Sequence, residues 1–193
     1  MQMILIFLSA ALVNNVILSR SLGVCPFIGA SKQLESSLGV SLAVTFVMTL
    51  SAAAVFVIHN FILQPLDATY LNIIVFVLVI ACFVQLIESC LKKTAPRLHQ
   101  LLGMHLPLVT TNCAVLGIIL INVDQFSGSF AMAITHALGA AAGFTLVMVL
   151  FAGIRERIEH NQVSPDFKGL PIAMIAAGLM SIVFFGFTGL INL

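Results

Sequence analysis

The sequence predicts an all-α integral membrane protein: six transmembrane helices arranged as two inverted three-helix repeats, with the first and fourth spans interrupted and both termini outside. Three observations lead there. Hydrophobic residues make up 61% of the 193 residues and charged residues 8%, with a mean hydropathy of +1.17; a soluble domain has about 45–50% and about 25%. The apolar residues lie in long continuous runs without the alternation of a membrane β-strand. All eight lysines and arginines fall in alternate connections between those runs. This composition excludes a soluble enzyme and a disordered segment. A formal net charge of +1 excludes a nucleic-acid binder, which needs a basic surface to displace phosphate counterions.

The runs follow in order. The first covers residues 3–19 and is closed by Arg20, with a short apolar piece over 22–30 that ends at Ser31-Lys32. The second, 38–63, ends at Gln64-Pro65, and the third, 70–91, at Lys92-Lys93. The fourth, 98–121, precedes Asn122 and Asp124; the fifth, 130–154, is closed by Arg155; the sixth is 170–193. Each long run suits one helix across a hydrocarbon core of about 30 Å. The first lacks the basic start and small-residue cleavage pattern of a signal sequence, so it reads as a retained span. No lipidation signal is present. Arg20 and Lys32 fall in the first connection, Lys92, Lys93 and Arg97 in the third, and Arg155, Arg157 and Lys168 in the fifth. Cytoplasmic loops collect the basic residues, so the odd connections are cytoplasmic and both termini lie outside. The whole of 1–193 forms one transmembrane domain, with halves of about 1–95 and 96–193.

Three spans per half make the halves opposite in orientation. Thr45-Phe46-Val47-Met48-Thr49-Leu50 in the second span resembles Thr145-Leu146-Val147-Met148-Val149-Leu150 in the fifth. The first element of each half also carries a cysteine beside a helix-breaking residue: Cys25 before Pro26, and Cys113 after Pro107. Proline removes a backbone donor. Broken backbone inside lipid is tolerated only where protein or a cavity covers it. Interrupted segments at matching places in two halves point to a functional centre near the midplane.

The four cysteines equal the number of thiolates that bind an iron–sulfur cluster. Cys82 and Cys90 differ by about 12 Å in height on one helix, too far for one cluster, and read as small buried hydrophobes. Cys25 and Cys113, 88 positions apart, are equivalent under the repeat. Packing residues, a disulfide and metal ligands all remain open for them. As ligands they are two thiolates short, which means half a metal site per chain.

At these residues the chain resembles the RnfA/NqrE family of membrane subunits. The resemblance rests on Leu22-Gly23-Val24-Cys25-Pro26-Phe27, on 106–117 with Thr110-Thr111-Asn112-Cys113, on Phe151-Ala152-Gly153-Ile154-Arg155-Glu156-Arg157, and on Ala177-Gly178-Leu179-Met180-Ser181. It extends over the whole chain and is nearer to the Rnf branch than to NqrE. It implies a membrane subunit of an ion-translocating ferredoxin:NAD oxidoreductase complex in the bacterial cytoplasmic membrane. It further implies pairing with an RnfE-like paralogue of opposite topology, beside other membrane and soluble subunits. The pair shares an intramembrane [2Fe–2S] cluster that relays electrons, with Cys25 and Cys113 as two of four ligands and Thr111 and Asn112 in supporting roles. An NqrE-like subunit of a sodium-pumping NADH:quinone reductase is the related alternative. A stand-alone inverted-repeat secondary transporter explains the breaks but not the cysteines at both. A structural scaffold explains less.

Other polar residues have plainer readings. Glu88, an acid inside the third span, is a functional candidate, with a salt bridge to Lys92 one helical turn on as the plainer reading. Asn14 and Asn15 serve as interhelical hydrogen-bonding groups or line an ion path. His105 precedes the fourth-span break, His59 and His99 lie near span ends, and His136 has no evident partner. Gly139 and Gly143 form a small-xxx-small pair for close helix packing. The run Arg155-Glu156-Arg157 with Glu159 is a solvated face or a docking point for a soluble subunit. No nucleotide or flavin motif is present, so any dehydrogenase chemistry belongs to partners.

Overall fold

The computed structural model describes residues 2–31, 33–63, 72–94, 112–159 and 169–186, and every regular element among them is helical. Helix α1 (Gln2–Leu8) runs into a π-helical turn (Ser9–Val13). Helix α2 (Val24–Ala30) is short. Helix α3 (Leu34–Ile58) runs into a second π-helical turn (His59–Leu63). Then come α4 (Asn72–Thr94), α5 (Cys113–Phe126), α6 (Phe130–Glu159) and α7 (Leu170–Phe185).

Two segments, Leu34–Phe61 and Phe130–Ile158, are long and apolar enough to cross a membrane. The apolar stretches Gln2–Val13, Asn72–Leu86, Cys113–Phe126 and Leu170–Phe185 are shorter. At 1.5 Å per residue, Gln2–Val13 rises about 18 Å and α5 about 21 Å, less than the core of about 30 Å.

The bundle is built on α3 against α6. Val44, Val47, Met48, Phe144, Val147, Met148 and Phe151 are fully buried along that seam. Thr45 Oγ1 and Thr145 Oγ1 lie 3.3 Å apart, while each threonine also bonds a carbonyl one turn back in its own helix. The matching hexamers noted in the sequence thus touch through their equivalent first residues. On the opposite faces Leu42, Phe46, Leu146 and Leu150 are exposed, as befits helices whose surroundings are acyl chains.

The first span departs from its expected form. Helix stops at Val13, and residues 14–23 are non-helical before α2 begins. The interruption therefore lies upstream of Pro26. Pro26 sits in the first turn of α2, where no intrahelical N–H is required. What breaks the helix is Asn14 and Asn15 at one end and Gly23 at the other. Asn15 is buried; its Nδ2 donates to Ala11 O and Gly143 O, and its Oδ1 accepts from Ile17 N. Asn14 is exposed and donates to Ser9 Oγ.

Both pieces of this broken span run beside α6 in the same direction. A Cβ on Gly139 would come within 2.7 Å of Phe7 O, and one on Gly143 within 2.5 Å of Ala11 O, so the small-xxx-small pair does bring two helices together. Further along, Phe27 stacks on Phe151 with centroids 4.0 Å apart. Arg155 Nη1 then donates to Ile28 O and Ser31 Oγ.

Two sequence expectations change as a result. Arg20 does not close the first apolar segment; it lies inside the break, and helix resumes over Val24–Ala30. Arg155, Glu156 and Arg157 belong to α6, which continues to Glu159, because Arg155 finds carbonyl and hydroxyl acceptors on α2 instead of needing water.

Candidate functional site

The break in the first span brings the Cys113 thiol against the turn that leads into Cys25. Gly23 caps the start of α2 with φ +82°, a left-handed conformation that costs glycine nothing. It is also a place of close approach: a Cβ there would lie 3.0 Å from Ala114 Cβ, 3.2 Å from Asn112 Oδ1 and 3.2 Å from Phe144 Cε2. The amide of Gly23 donates to Cys113 Sγ at 2.9 Å. Gly23 precedes Cys25 by two residues, at most about 7 Å of chain. One backbone bond therefore ties the Cys113 thiol to the turn that carries Cys25.

Cys113 opens α5, and Asn112 is its N-cap. Asn112 Oδ1 accepts from Ala114 N at 3.0 Å, which is what an N-cap side chain does for one of the otherwise unpaired first amides. Asn112 Nδ2 is buried and finds no acceptor among the described residues. A buried donor left unpaired costs about 1–3 kcal/mol, so this amide is a donor for which the described residues supply no acceptor.

The centre sits at mid-height. Phe144, against Gly23, is 14 residues from the start of α6 and 15 from its end. Asn15, at the other side of the break, is bonded to Gly143. Both ends of segment 15–23 are thus pinned to the middle of the longest helix.

Cys25, Cys82 and Cys113 are free thiols, which removes the disulfide reading for Cys25 with Cys113. Cys25 is exposed on the surface of the single chain and Cys113 is half-buried. Cys82 is exposed as well, against the expectation of a buried hydrophobe: α4 turns that face, with Leu78 and Leu86, outward. The side chains of Cys90, Glu88, Lys92, Lys93 and Glu159 lie outside the described residues, as do Thr111, Pro107, His99 and His105. Among the described residues no three His, Cys, Asp or Glu side chains form a metal-binding group. What this part of the chain brings together is two thiols and the donors around them.

Two features escape the sequence reading. His136 does have a partner: its Nδ1 is 2.6 Å from Asn122 Oδ1, and Asn122 Nδ2 donates to Ala133 O. By sequence Asn122 marks a span end, yet α5 continues past it to Phe126. The second is the docking of α6 onto α2 through Phe151 and Arg155. Their one-turn spacing is visible in the sequence; the acceptors are not, because one is a backbone carbonyl and the other a serine hydroxyl with nothing to mark it.

A family model described as "Rnf-Nqr subunit, membrane protein" matches residues 3–191. The chain belongs to the Rnf–Nqr family of membrane-protein subunits. Relatives within the Rnf–Nqr family match end to end. The A subunit of the Na(+)-translocating ferredoxin:NAD(+) oxidoreductase complex of Acetobacterium woodii is 53% identical over 190 residues, covering 98% of each chain. The A subunit of the ion-translocating oxidoreductase complex is 50% identical in Azoarcus sp. and 52% identical in Serratia proteamaculans, each over 99% of this chain and 98% of the relative.

Proposed function

We propose that this chain is the membrane subunit of an Rnf-type ion-translocating ferredoxin:NAD oxidoreductase complex. With an RnfE-like paralogue of opposite topology it holds a [2Fe–2S] cluster within the bacterial cytoplasmic membrane. The observation that carries the cluster reading is the bond from Gly23 N to Cys113 Sγ at the mid-height of α6. It ties one free thiol to the turn two residues before the other, although the two are distant in sequence. Full-length likeness to the A subunits of ion-translocating complexes supports the place in such a complex. The shared family of Rnf and Nqr subunits keeps an NqrE-like role as a second reading, to which these relatives lend less support.

The residues present fit the group. Thiolates are the ligands of such clusters, four being usual, and this chain offers Cys25 and Cys113; the paralogue supplies the other two. The exposure of Cys25 leaves it accessible to that second chain. Amide donors to ligating sulfur stabilise its negative charge and raise the potential. Gly23 N already makes such a bond. Asn112 Nδ2, with no acceptor among the described residues, would donate to a thiolate or sulfide of the cluster. Thr111 is assigned a supporting role from the motif alone.

When bound, the cluster supplies a one-electron relay that divides a crossing of about 30 Å. This chain's own residues do the holding. Asn112 caps α5 and fixes the Cys113 backbone. Phe151 and Arg155 hold α2 and so the Cys25 turn. The α3–α6 seam, lined mainly by apolar side chains, keeps water from the centre. The Thr45–Thr145 contact joins matching positions of the two halves and supports the inverted-repeat arrangement; the basic residues of the odd connections carry the reading of both termini outside.

Low-temperature EPR of the intact complex tests the proposal. A [2Fe–2S] signal that vanishes in Cys25→Ala and in Cys113→Ala, but persists in Cys82→Ala, is the expected result. An intact complex in which both cysteine variants keep every iron–sulfur signal overturns it.

A further inference from the structure

Arg20 is in an unusual place. The segment that carries it is tied to the middle of α6 at both ends, by Asn15 Nδ2 to Gly143 O and by Gly23 against Phe144. It is also folded back on itself: Ser19 N donates to Asn15 O and Leu22 N to Val16 O. Ser21 within it adopts a positive φ of 54°, which a non-glycine residue rarely adopts. Arg20 is three residues from Gly23, about 10 Å of chain at full stretch. Half of a hydrocarbon core is about 15 Å. The guanidinium therefore leaves the backbone within the membrane core, and Arg20 is exposed on the surface of the single chain.

A guanidinium there is costly. Charged side chains at the bilayer centre are rare and find a partner of opposite charge or a polar lining, and Arg stays protonated at any working pH. Among the described residues no carboxylate pairs with Arg20. An anionic group is what such a cation pairs with inside a membrane. The site described above, three to five residues further along the same segment, is built to hold one.

We infer that Arg20 is the compensating cation of the iron–sulfur centre, its positive charge offsetting the net negative charge of a four-thiolate cluster in the low-dielectric middle of the membrane. The inference rests on the cluster reading. Arg20 acts as a positioning and tuning residue: it ligates nothing, but the centre gains a negative charge on reduction, and a nearby cation favours that state. Removing the charge makes reduction harder.

Redox-poised EPR of the purified complex tests this with Arg20→Lys, which keeps the charge, and Arg20→Gln, which removes it. Arg20→Gln lowers the ratio of reduced to oxidised cluster at a fixed potential about tenfold, equal to about 59 mV for one electron, while Arg20→Lys stays near the parent value. Arg20→Gln with an unchanged potential and full cluster content overturns the inference and leaves the cluster reading standing. Retention of the cluster in Cys25→Ala and Cys113→Ala is a separate failure, of the cluster reading itself. Should Arg20→Gln fail to assemble, pulsed EPR of the complex carrying 15N-labelled arginine decides the matter. A guanidinium nitrogen coupling that Arg20→Lys abolishes supports the inference, and its absence from the parent complex contradicts it.

Discussion

The seam between α3 and α6 and the broken segment beside it are held in opposite ways. Along the seam, valine, methionine and phenylalanine side chains are fully buried against one another, and many small dispersion contacts share the load. Across residues 14–23 the backbone leaves its helix before α2 resumes it, and single groups carry the structure: Asn15, Gly23, Asn112 and Arg155 each satisfy or approach a specific atom. The difference teaches where change is tolerated. A seam of dispersed contacts absorbs a conservative substitution. A break in a membrane helix does not, because backbone groups left unpaired in lipid have no water to turn to.

Substitutions sharpen that contrast, and the largest effect belongs to close backbone approach. Gly143→Ala puts a methyl 2.5 Å from Ala11 O; overpacking of this kind costs about 1–3 kcal/mol and lowers the detergent unfolding midpoint. Gly178→Ala, with open space around it, leaves the midpoint unchanged. Equal effects would show that the α1–α6 contact does not carry the fold.

Next is the N-cap. Asn112→Ala removes the acceptor for Ala114 N and costs about 0.5–2 kcal/mol, read as a lower unfolding midpoint. Asn112→Ser keeps a neutral capping oxygen, so its midpoint stays closer to that of the parent, while the cluster potential falls for want of the Nδ2 donor. If Ser were as destabilising as Ala, the side chain would not be acting as the cap.

Arg155→Ala frees Ile28 O and Ser31 Oγ and loosens α2. In the isolated protein, Cys25 then reacts several-fold faster with a water-soluble maleimide, and Arg155→Lys restores part of the protection. An unchanged rate would separate Arg155 from the Cys25 turn. The smallest effect belongs to the seam: the coupling between Thr45→Val and Thr145→Val in a double-mutant cycle is about 0.6 kcal/mol, typical of interhelical hydrogen bonds in membranes. A coupling of several kcal/mol would give the seam the same single-bond character as the break.

Composition and run length suffice to read a helical membrane protein, and Gly139 with Gly143 announces close packing correctly because small residues let two backbones approach. The hexamers around Thr45 and Thr145 locate a real contact. Positions along the first span are harder to read. Pro26 looks like the break, yet proline is harmless in a first helical turn, and the break belongs to Asn14, Asn15 and Gly23. Arg20 looks like a span end, since a charge inside an apolar run ordinarily is one. Its true place depends on Asn15 and Gly23 reaching α6 far along the chain. The partner of His136 is hidden for the same reason, because Asn122 closes on it only once α5 runs past residue 121. The two cysteines are legible as a pair. The amides of Gly23 and Asn112 around them are not, because hydropathy and periodicity carry no trace of a single donor.

The central claim is that Cys25 and Cys113 are two ligands of one cluster shared with a second chain. Iron measured per intact complex tests it most directly. The account predicts that Cys25→Ala and Cys113→Ala each lose the same two irons, that the double variant loses no more than either alone, and that Cys82→Ala loses none. Complexes that retain full iron in either single variant, or losses that add in the double variant, would contradict a shared site.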